Sequence, residues 1–524
     1  MTTAVNTPAH RSRPVESRWT GALAIAIYFA LAKLLLHLLA NRGYGYFRDE
    51  LYFLACGEHL DWGYVDHAPM VAVAAKLSRA ILGDSLSAIR FLPALAGAVK
   101  VLLTGLMVRE FGGRRFAVML ACLCVTVAPV YLGIDNFLSM NAFEPVFWMG
   151  CVYFIILAIN RNDSRFWIGF GALAGLGLQN KHSMLIFGLA VFVGLLLTPQ
   201  ARRFLAGKWL WIAGAIAFVI FLPNIIWEQQ HGWATLELLK NVKTSGKNVA
   251  LSPLEFIGQQ FLFLLPLTAP VWLAGLWFFF FDVEGRRYRL LGITYVAVLA
   301  LMILMKGKNY YLAPAYPMLF AGGAVLWERL LAGKRYTGWL KVAYPVILVV
   351  AGAVLAPMSL PILPVETLIR YQPALGFKPP RTEVGHVGPL PQHFGDMFGW
   401  PEMVEAVASV YHKLPPEERT VAAIYAGNYG EAGAIDFFGP RYGLPKAISP
   451  HQNYFLWGPR GYTGEVLIIL QAEREELEPN CESVEEGAAL NHPYAMAEER
   501  YTIFICRGLK QPLPQLWPRL KHWN

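Results

Sequence analysis

Charge is scarce in this chain. Asp, Glu, Lys and Arg make up 15% of its 524 residues, and 56% are hydrophobic, whereas a soluble domain carries about 25% charged residues. That balance excludes an ordinary soluble domain and points to a membrane protein. Cysteine is sparse as well: the six, Cys56, Cys122, Cys124, Cys151, Cys481 and Cys506, form no C-x-x-C and have no histidine at zinc spacing, so no structural zinc site is expected. G-x-x-x-x-G-K-[ST] and G-x-G-x-x-G are both missing, which argues against ATP-driven transport and dinucleotide redox chemistry. There is no D-x-D either. The nearest approach, Asp282-Val283-Glu284, lies in a turn expected on the cytoplasmic side, so nothing looks built to hold a nucleotide diphosphate through a metal. The net charge is +9, but the basic residues fall in short turns and form no stripe. This pattern reflects membrane topology and leaves nucleic acid out as a partner.

What the chain does have is long apolar runs. The first, Trp19 to Ala40, follows Arg11, Arg13 and Arg18; it is long enough to cross a bilayer and too long for a signal-peptide core. It reads as a retained anchor with residues 1–18 as a cytoplasmic tail. Ten more segments begin near Ala88, Phe116, Ala142, Phe166, Met184, Trp209, Phe256, Leu290, Tyr311 and Leu340, giving about eleven spans. The turns Gly112 to Arg115, Arg161 to Arg165, Pro199 to Lys208, Asp282 to Arg289 and Ala332 to Thr337 all carry Lys or Arg. With the N-terminus inside, each of them falls on the cytoplasmic side, as the positive-inside rule requires.

An odd number of spans puts the rest of the chain outside the cytoplasm. The expected fold is therefore an α-helical polytopic membrane protein over residues 19–360, followed by a small extracytoplasmic α/β domain over 361–524. In that domain Val421–Tyr425, Val466–Leu470 and Tyr501–Cys506 have strand length, with a Gly- and Ala-rich helical stretch between the first two. Pro357 to Pro401 reads as an irregular connection. Cys481 and Cys506 both fall here; an oxidising compartment permits a disulfide, and two buried thiols fit the sequence equally well.

Polar chemistry collects in the outward loops. The first, residues 41–85, holds Asp49, Glu50, Asp61, Asp66 and His67 among aromatic residues. Carboxylates near lipid are costly to desolvate and default to a functional reading; the plain alternative is an acidic first turn of a helix, which the helix dipole favours. Their company tips the balance. The same leaflet receives Asn141 and Glu144 at the start of the fourth span, Asn180-Lys181-His182 after the fifth, Glu228 and His231 after the seventh, and Lys306-Gly307-Lys308-Asn309-Tyr310-Tyr311 after the ninth. Glu144 at a helix start and a snorkelling Lys181 each have ordinary explanations. Lys306 and Lys308 run against the positive-inside bias, so an anion is expected there. Phosphate fits, because lysine binds it as a point charge; anionic lipid headgroups are the competing attraction.

The order of these motifs resembles glycosyltransferase family 39 of the GT-C superfamily, which includes protein O-mannosyltransferases and the bacterial lipid A aminoarabinose transferase. The resemblance rests on R-D-E-x-Y-F at Arg48–Phe53, D-H-x-P at Asp66–Pro69, the basic turn at Lys306–Tyr311 before a Pro-rich span, and the outer C-terminal domain. Asn428-Tyr429-Gly430-Glu431-Ala432-Gly433-Ala434 with Phe438-Gly439-Pro440 also looks like the bacterial branch. It implies a GT-C fold in the plasma membrane and an inverting transfer of a sugar from a polyprenyl-phosphate donor to an acceptor lipid, glycan or protein. Asp49 matches the family's proposed general base, Asp66-His67-Ala68-Pro69 its second first-loop motif, Lys306 and Lys308 the turn associated with the lipid phosphate, and Lys181 a basic position nearby. Glu50, Asn141, Glu144, Tyr310 and Tyr311 join Asp66, His67 and the lysines as substrate-binding candidates. Inversion needs a carboxylate to take the nucleophile's proton and cations to meet charge on the departing phosphate.

Two positions depart from the pattern. Asn141 stands where many members have an acid, and Ala68 where many have a second proline. Asn141 can bond a hydroxyl but cannot be a base, and Glu144, one helical turn later, is a candidate for the missing carboxylate. No cofactor is assigned, though Asp, Glu and His in the first loop leave room for a divalent metal. The competing class is a transporter or lipid flippase, which usually keeps ionisable residues near the bilayer midplane and shows repeats. A receptor or scaffold would need only one span.

Overall fold

The computed structural model describes residues 20–333, 336, 338–376, 383 and 387–524. The expected tail, part of the turn Ala332 to Thr337 and part of the Pro357 to Pro401 connection lie outside the described residues. All eleven apolar segments are helical. Six of them, Ala22–Ala40, Leu86–Glu110, Met140–Asn160, Lys208–Gln230, Gly285–Leu304 and Leu340–Met358, are individually long and apolar enough to cross a membrane. Two more qualify as bent pairs: Met184–Leu197 with Pro199–Ala206 at 105°, and Pro253–Phe263 with Pro266–Phe280 at 91°.

Eight of the eleven expected spans thus meet the requirement by length and composition among the described residues, counting each bent pair as one. The other three helices, Arg115–Val127, Trp167–Asn180 and Tyr316–Leu330, rise only about 20 Å at 1.5 Å per residue, short of a ~30 Å hydrocarbon core. Proline marks both bends. Pro199 and Pro266 each open a new helical turn, because a residue without an N–H is tolerated at a helix start and not in its interior.

A buried ionic group escaped the sequence reading. Lys33 and Lys100 approach Asp135 at 3.3 and 2.7 Å, and all three side chains are fully enclosed. Lys33 also donates to the Tyr131 carbonyl, and the Tyr131 hydroxyl donates to the Ala313 carbonyl at 2.7 Å. The group therefore ties the first two spans to the segment that follows the Lys308 turn. Pairing is what makes such charges tolerable in a low-dielectric interior.

The C-terminal region holds a four-stranded sheet: β1 (Ala422–Tyr425), β2 (Val466–Ile469), β3 (Cys481–Ala489) and β4 (Thr502–Leu509). The order is β1-β2-β4-β3, with β1 parallel to β2 and the other pairs antiparallel. Three strands match the expected runs. β3 does not, because its sequence is mostly polar and exposed; it is an edge strand, where charge discourages further pairing. A disulfide joins Cys481 on β3 to Cys506 on β4, which decides between the two readings of that pair. The expected irregular connection is partly helical, containing Val365–Ala374 and Gln392–Gly395 and ending where Trp400–Lys413 begins.

Two helices join the C-terminal region to the first loop. Arg48–Glu58 packs on Tyr429–Phe438, and glycine makes the approach close: a Cβ on Gly433 would meet the Leu51 carbonyl oxygen at 2.8 Å, and one on Gly430 the Arg48 Cγ at 2.3 Å. One hydrophobic core therefore runs through both, from Leu51, Phe53 and Leu54 to Val404, Ile435, Ile468 and Ile505. This contact brings Tyr429 to Asp49.

Candidate active site

Asp49 is the second residue of the helix Arg48–Glu58, and Phe47 before it is extended. A first helical turn leaves N–H groups unpaired and favours carboxylates; here two adjacent carboxylates divide the work. Glu50 points inward. It accepts from the N–H groups of Phe47 (2.9 Å) and Leu138 (2.8 Å) and from the Arg90 guanidinium at 2.8 and 2.9 Å. Both charged side chains are fully enclosed. With its oxygens engaged inside the protein, Glu50 holds the loop together; this corrects the expectation that it would touch substrate. Glu50→Ala is expected to destabilise the protein by about 3–5 kcal/mol, because it strands a buried guanidinium; thermal unfolding in nanodiscs measures the loss.

Asp49 is half-buried. Its Oδ1 accepts from the Tyr429 hydroxyl at 2.8 Å, and among the described residues this is the carboxylate's one hydrogen-bond partner. The second oxygen has no hydrogen-bond partner among the described residues. One turn along the same helix, Tyr52 donates to Asp66 Oδ1 at 2.8 Å. Burial, with Asp49 adding to it, raises the Asp66 carboxyl above the usual aspartate range, against the pull of His67 and Tyr52. His67 lies within 2.9 Å of the Ala68 carbonyl through Nδ1 and stacks on Tyr64. A carbonyl only accepts, so Nδ1 carries the proton. Burial holds His67 below the usual imidazole range, and its Nε2 is an acceptor with no partner among the described residues.

The basic side is built from two clusters. Lys181 donates to Asn141 Oδ1 (2.8 Å) and Glu144 Oε2 (2.9 Å), and Ser183 bonds the other Glu144 oxygen. The Lys181 ammonium lies 4.0 Å from the centre of the Tyr311 ring, and Tyr310 packs edge-on to Tyr311. Asn141, Glu144, Lys181 and Tyr311 are thus one unit. Both Glu144 oxygens are engaged, which suits a residue that fixes a lysine better than a second base. In the other cluster Lys308 pairs with Glu383 at 2.7 Å. Burial pulls this lysine down, but Tyr311, Glu383 and Asp49 together hold it above the usual range.

Lys306 does not join them. It is exposed with φ 52° and its side chain makes no hydrogen bond or ion pair among the described residues. The two lysines of this turn thus part company, since Gly307 separates them and chain neighbours two apart share a face only in regular strand.

Two contributions were missed by the sequence reading. Lys247, just beyond the helix Ala234–Ser245, donates to the Asn524 carbonyl at 3.3 Å. Burial lowers it, and its charge is felt among Glu383, Arg48, Lys308 and Asp49. Tyr429 was read only as part of a resemblance, yet it bonds Asp49 across 380 residues of sequence. Arg48 lies over the Tyr429 ring and pairs with Glu498 at 2.9 Å. Among the described residues no three His, Cys, Asp or Glu side chains are placed to hold a metal ion.

Carboxylates and lysines gathered where helices of membrane-spanning length meet a small α/β domain define a polytopic membrane protein with a site-bearing region at that junction. Comparison with known proteins agrees. Crystal structures of ArnT from Cupriavidus metallidurans, in the apo state and bound to undecaprenyl phosphate, superpose with TM-score 0.58 at 14% identity, covering 92% of this chain and 97% of ArnT. The family model for dolichyl-phosphate-mannose-protein mannosyltransferase matches residues 66–227. Lipid A galacturonosyltransferase RgtD of Rhizobium johnstonii is 26% identical over 249 residues, 46% of this chain. The chain spans about half the length of that curated relative. It is an integral membrane protein with the fold expected from its sequence.

Proposed function

We propose that this protein is an inverting glycosyltransferase that moves a sugar from a polyprenyl-phosphate donor to a glycolipid acceptor such as lipid A. The observation that carries the reading is Asp49, with one carboxylate oxygen held by Tyr429 and the other open, in the same electrostatic neighbourhood as Lys308. Asp49 takes the acceptor hydroxyl's proton as that oxygen attacks the anomeric carbon. The bond from that carbon to the phosphate oxygen breaks, its electron pair leaves with the polyprenyl phosphate, and Lys308 with Lys181 meets the growing charge. Asp66 and His67 line the acceptor side. The undecaprenyl phosphate named for ArnT and the lipid A named for RgtD support these substrate classes.

We place the N-terminus in the cytoplasm and the C-terminal domain outside the inner membrane, which agrees with the basic turns lying on the opposite side from the site. A transporter is the weaker reading, because the candidate residues gather at one end of the bundle. The direct test supplies the protein in nanodiscs with polyprenyl-phosphate-linked galacturonic acid and lipid A; sugar appearing on lipid A supports the reading, and donor that remains intact with every acceptor tried refutes it. Tyr429→Phe is expected to lower kcat about 10- to 100-fold, the worth of a hydrogen bond to a charged group, with thermal stability little changed. Steady-state kinetics beside a melting curve check it.

A further inference from the structure

The C-terminal region contains a cavity of about 280 Å³ that the mechanism above does not use. It opens between the first turns of the helix Trp400–Lys413 and the chain that follows β3, and its wall includes Phe398, Glu402, Ala406, Asn491, His492 and Glu499. Among the described residues no lysine or arginine lines it. Two carboxylates would repel a phosphate, and an acyl chain has no use for carboxylates, an amide and an imidazole. A sugar ring suits both halves of this wall: its hydroxyls bond to the polar groups, and its C–H face lies on apolar and aromatic surface.

The cavity is physically joined to Asp49. Glu499 Oε1 accepts from the Asn428 side chain at 3.4 Å, and Asn428 caps the helix whose first residue, Tyr429, bonds Asp49. Its neighbour Glu498 pairs with Arg48. Two hydrogen bonds and one step of chain therefore separate the cavity wall from the candidate base. Burial, with Glu431 beside it, holds the Glu499 carboxyl well above the usual range, and the exposed Glu402 stands on the same wall.

We propose that this cavity is an acceptor subsite that holds an uncharged sugar ring of the acceptor glycolipid, neighbouring the ring whose hydroxyl is glycosylated at Asp49. The inference rests on the transferase reading and adds where the acceptor is recognised. Phosphate is handled by lysines on one side of Asp49 and the acceptor's sugar by carboxylates on the other.

The test titrates lipid A as acceptor, at saturating polyprenyl-phosphate-linked galacturonic acid, in wild type, in Ala406→Trp, which fills the cavity, and in Glu402→Gln, an exposed change that leaves packing alone. Acceptor KM is expected to rise at least about tenfold in the first and severalfold in the second, with kcat and donor KM within twofold. An unchanged acceptor KM in both variants overturns the proposal, as does an equal rise in donor KM. Binding of the deacylated, dephosphorylated lipid A disaccharide to the intact protein, read by saturation-transfer NMR, is independent of turnover. Should no transfer occur in wild type, the transferase reading falls, while disaccharide binding lost in Ala406→Trp still supports the subsite and equal binding overturns it.

Discussion

Asp49→Asn is expected to reduce transfer about 10³-fold, within the 10²–10⁴ that a positioned general base contributes. The substitution is nearly isosteric. Its amide oxygen can still accept the Tyr429 hydrogen bond seen at 2.8 Å, so the helix Arg48–Glu58 and the packing of the C-terminal region on it are expected to persist. What is lost is the capacity to take a proton from the acceptor hydroxyl. Donor affinity, measured by binding a labelled polyprenyl phosphate to the intact protein in nanodiscs, should stay within about threefold, because the proposed mechanism gives the phosphate to the lysines. A drop in turnover without a drop in donor binding is the pattern of an interaction made only in the transition state. A transporter or a scaffold would not care about this exchange, so full activity in Asp49→Asn would sink the assignment of the base.

The contrast between Asp49 and Glu50 shows how far the sequence could be read. Adjacent residues of a helix point about 100° apart, so one of the two had to face inward once Arg48–Glu58 packed on anything. Which one did so depended on Arg90, 40 residues away, and on the Leu138 N–H, 88 residues away. Neither is visible in local spacing. The apolar runs and basic turns were legible because each depends on its own segment alone. Three runs form helices of only 13 to 15 residues, since a window of apolar residues does not reveal where a turn will shorten the helix.

The lower wall of the site was partly legible and its roof was not. Asn141, Glu144, Lys181 and Lys308 stand at or beside the ends of apolar segments and announce themselves as misplaced polar groups. Tyr429 is an aromatic in a glycine-rich helix, with nothing local to mark it as a partner of Asp49. Gly430 and Gly433 were the usable signal: two glycines three apart, where a Cβ would collide with Arg48 and Leu51, announce close contact with another element. The ionic group of Lys33, Lys100 and Asp135 was hidden for a related reason. Each of its members is a single charge in an apolar run, and only the packing of three segments makes them a set.

Lys308 and Lys306 offer the sharpest test of the phosphate clamp, because sequence treats them alike and structure does not. Lys308→Met is expected to lower kcat/KM for the donor about 10²- to 10³-fold, the scale of one lost electrostatic contact to developing charge. Lys306→Ala should stay within about twofold, as exposed residues without partners usually do. Part of the Lys308 effect would come from Glu383, whose carboxylate pairs with Lys308 at 2.7 Å and would then stand less neutralised near the incoming phosphate. The double variant Lys308→Met with Glu383→Gln separates the two causes. If Lys308 contacts the phosphate, the double variant recovers little, because the cation is still missing. Were Lys308 there only to neutralise Glu383, removing both charges would restore the donor kinetics. An equal loss from Lys306→Ala would mean that the turn is rearranged when donor binds, and that the exposed lysine swings in to complete the clamp.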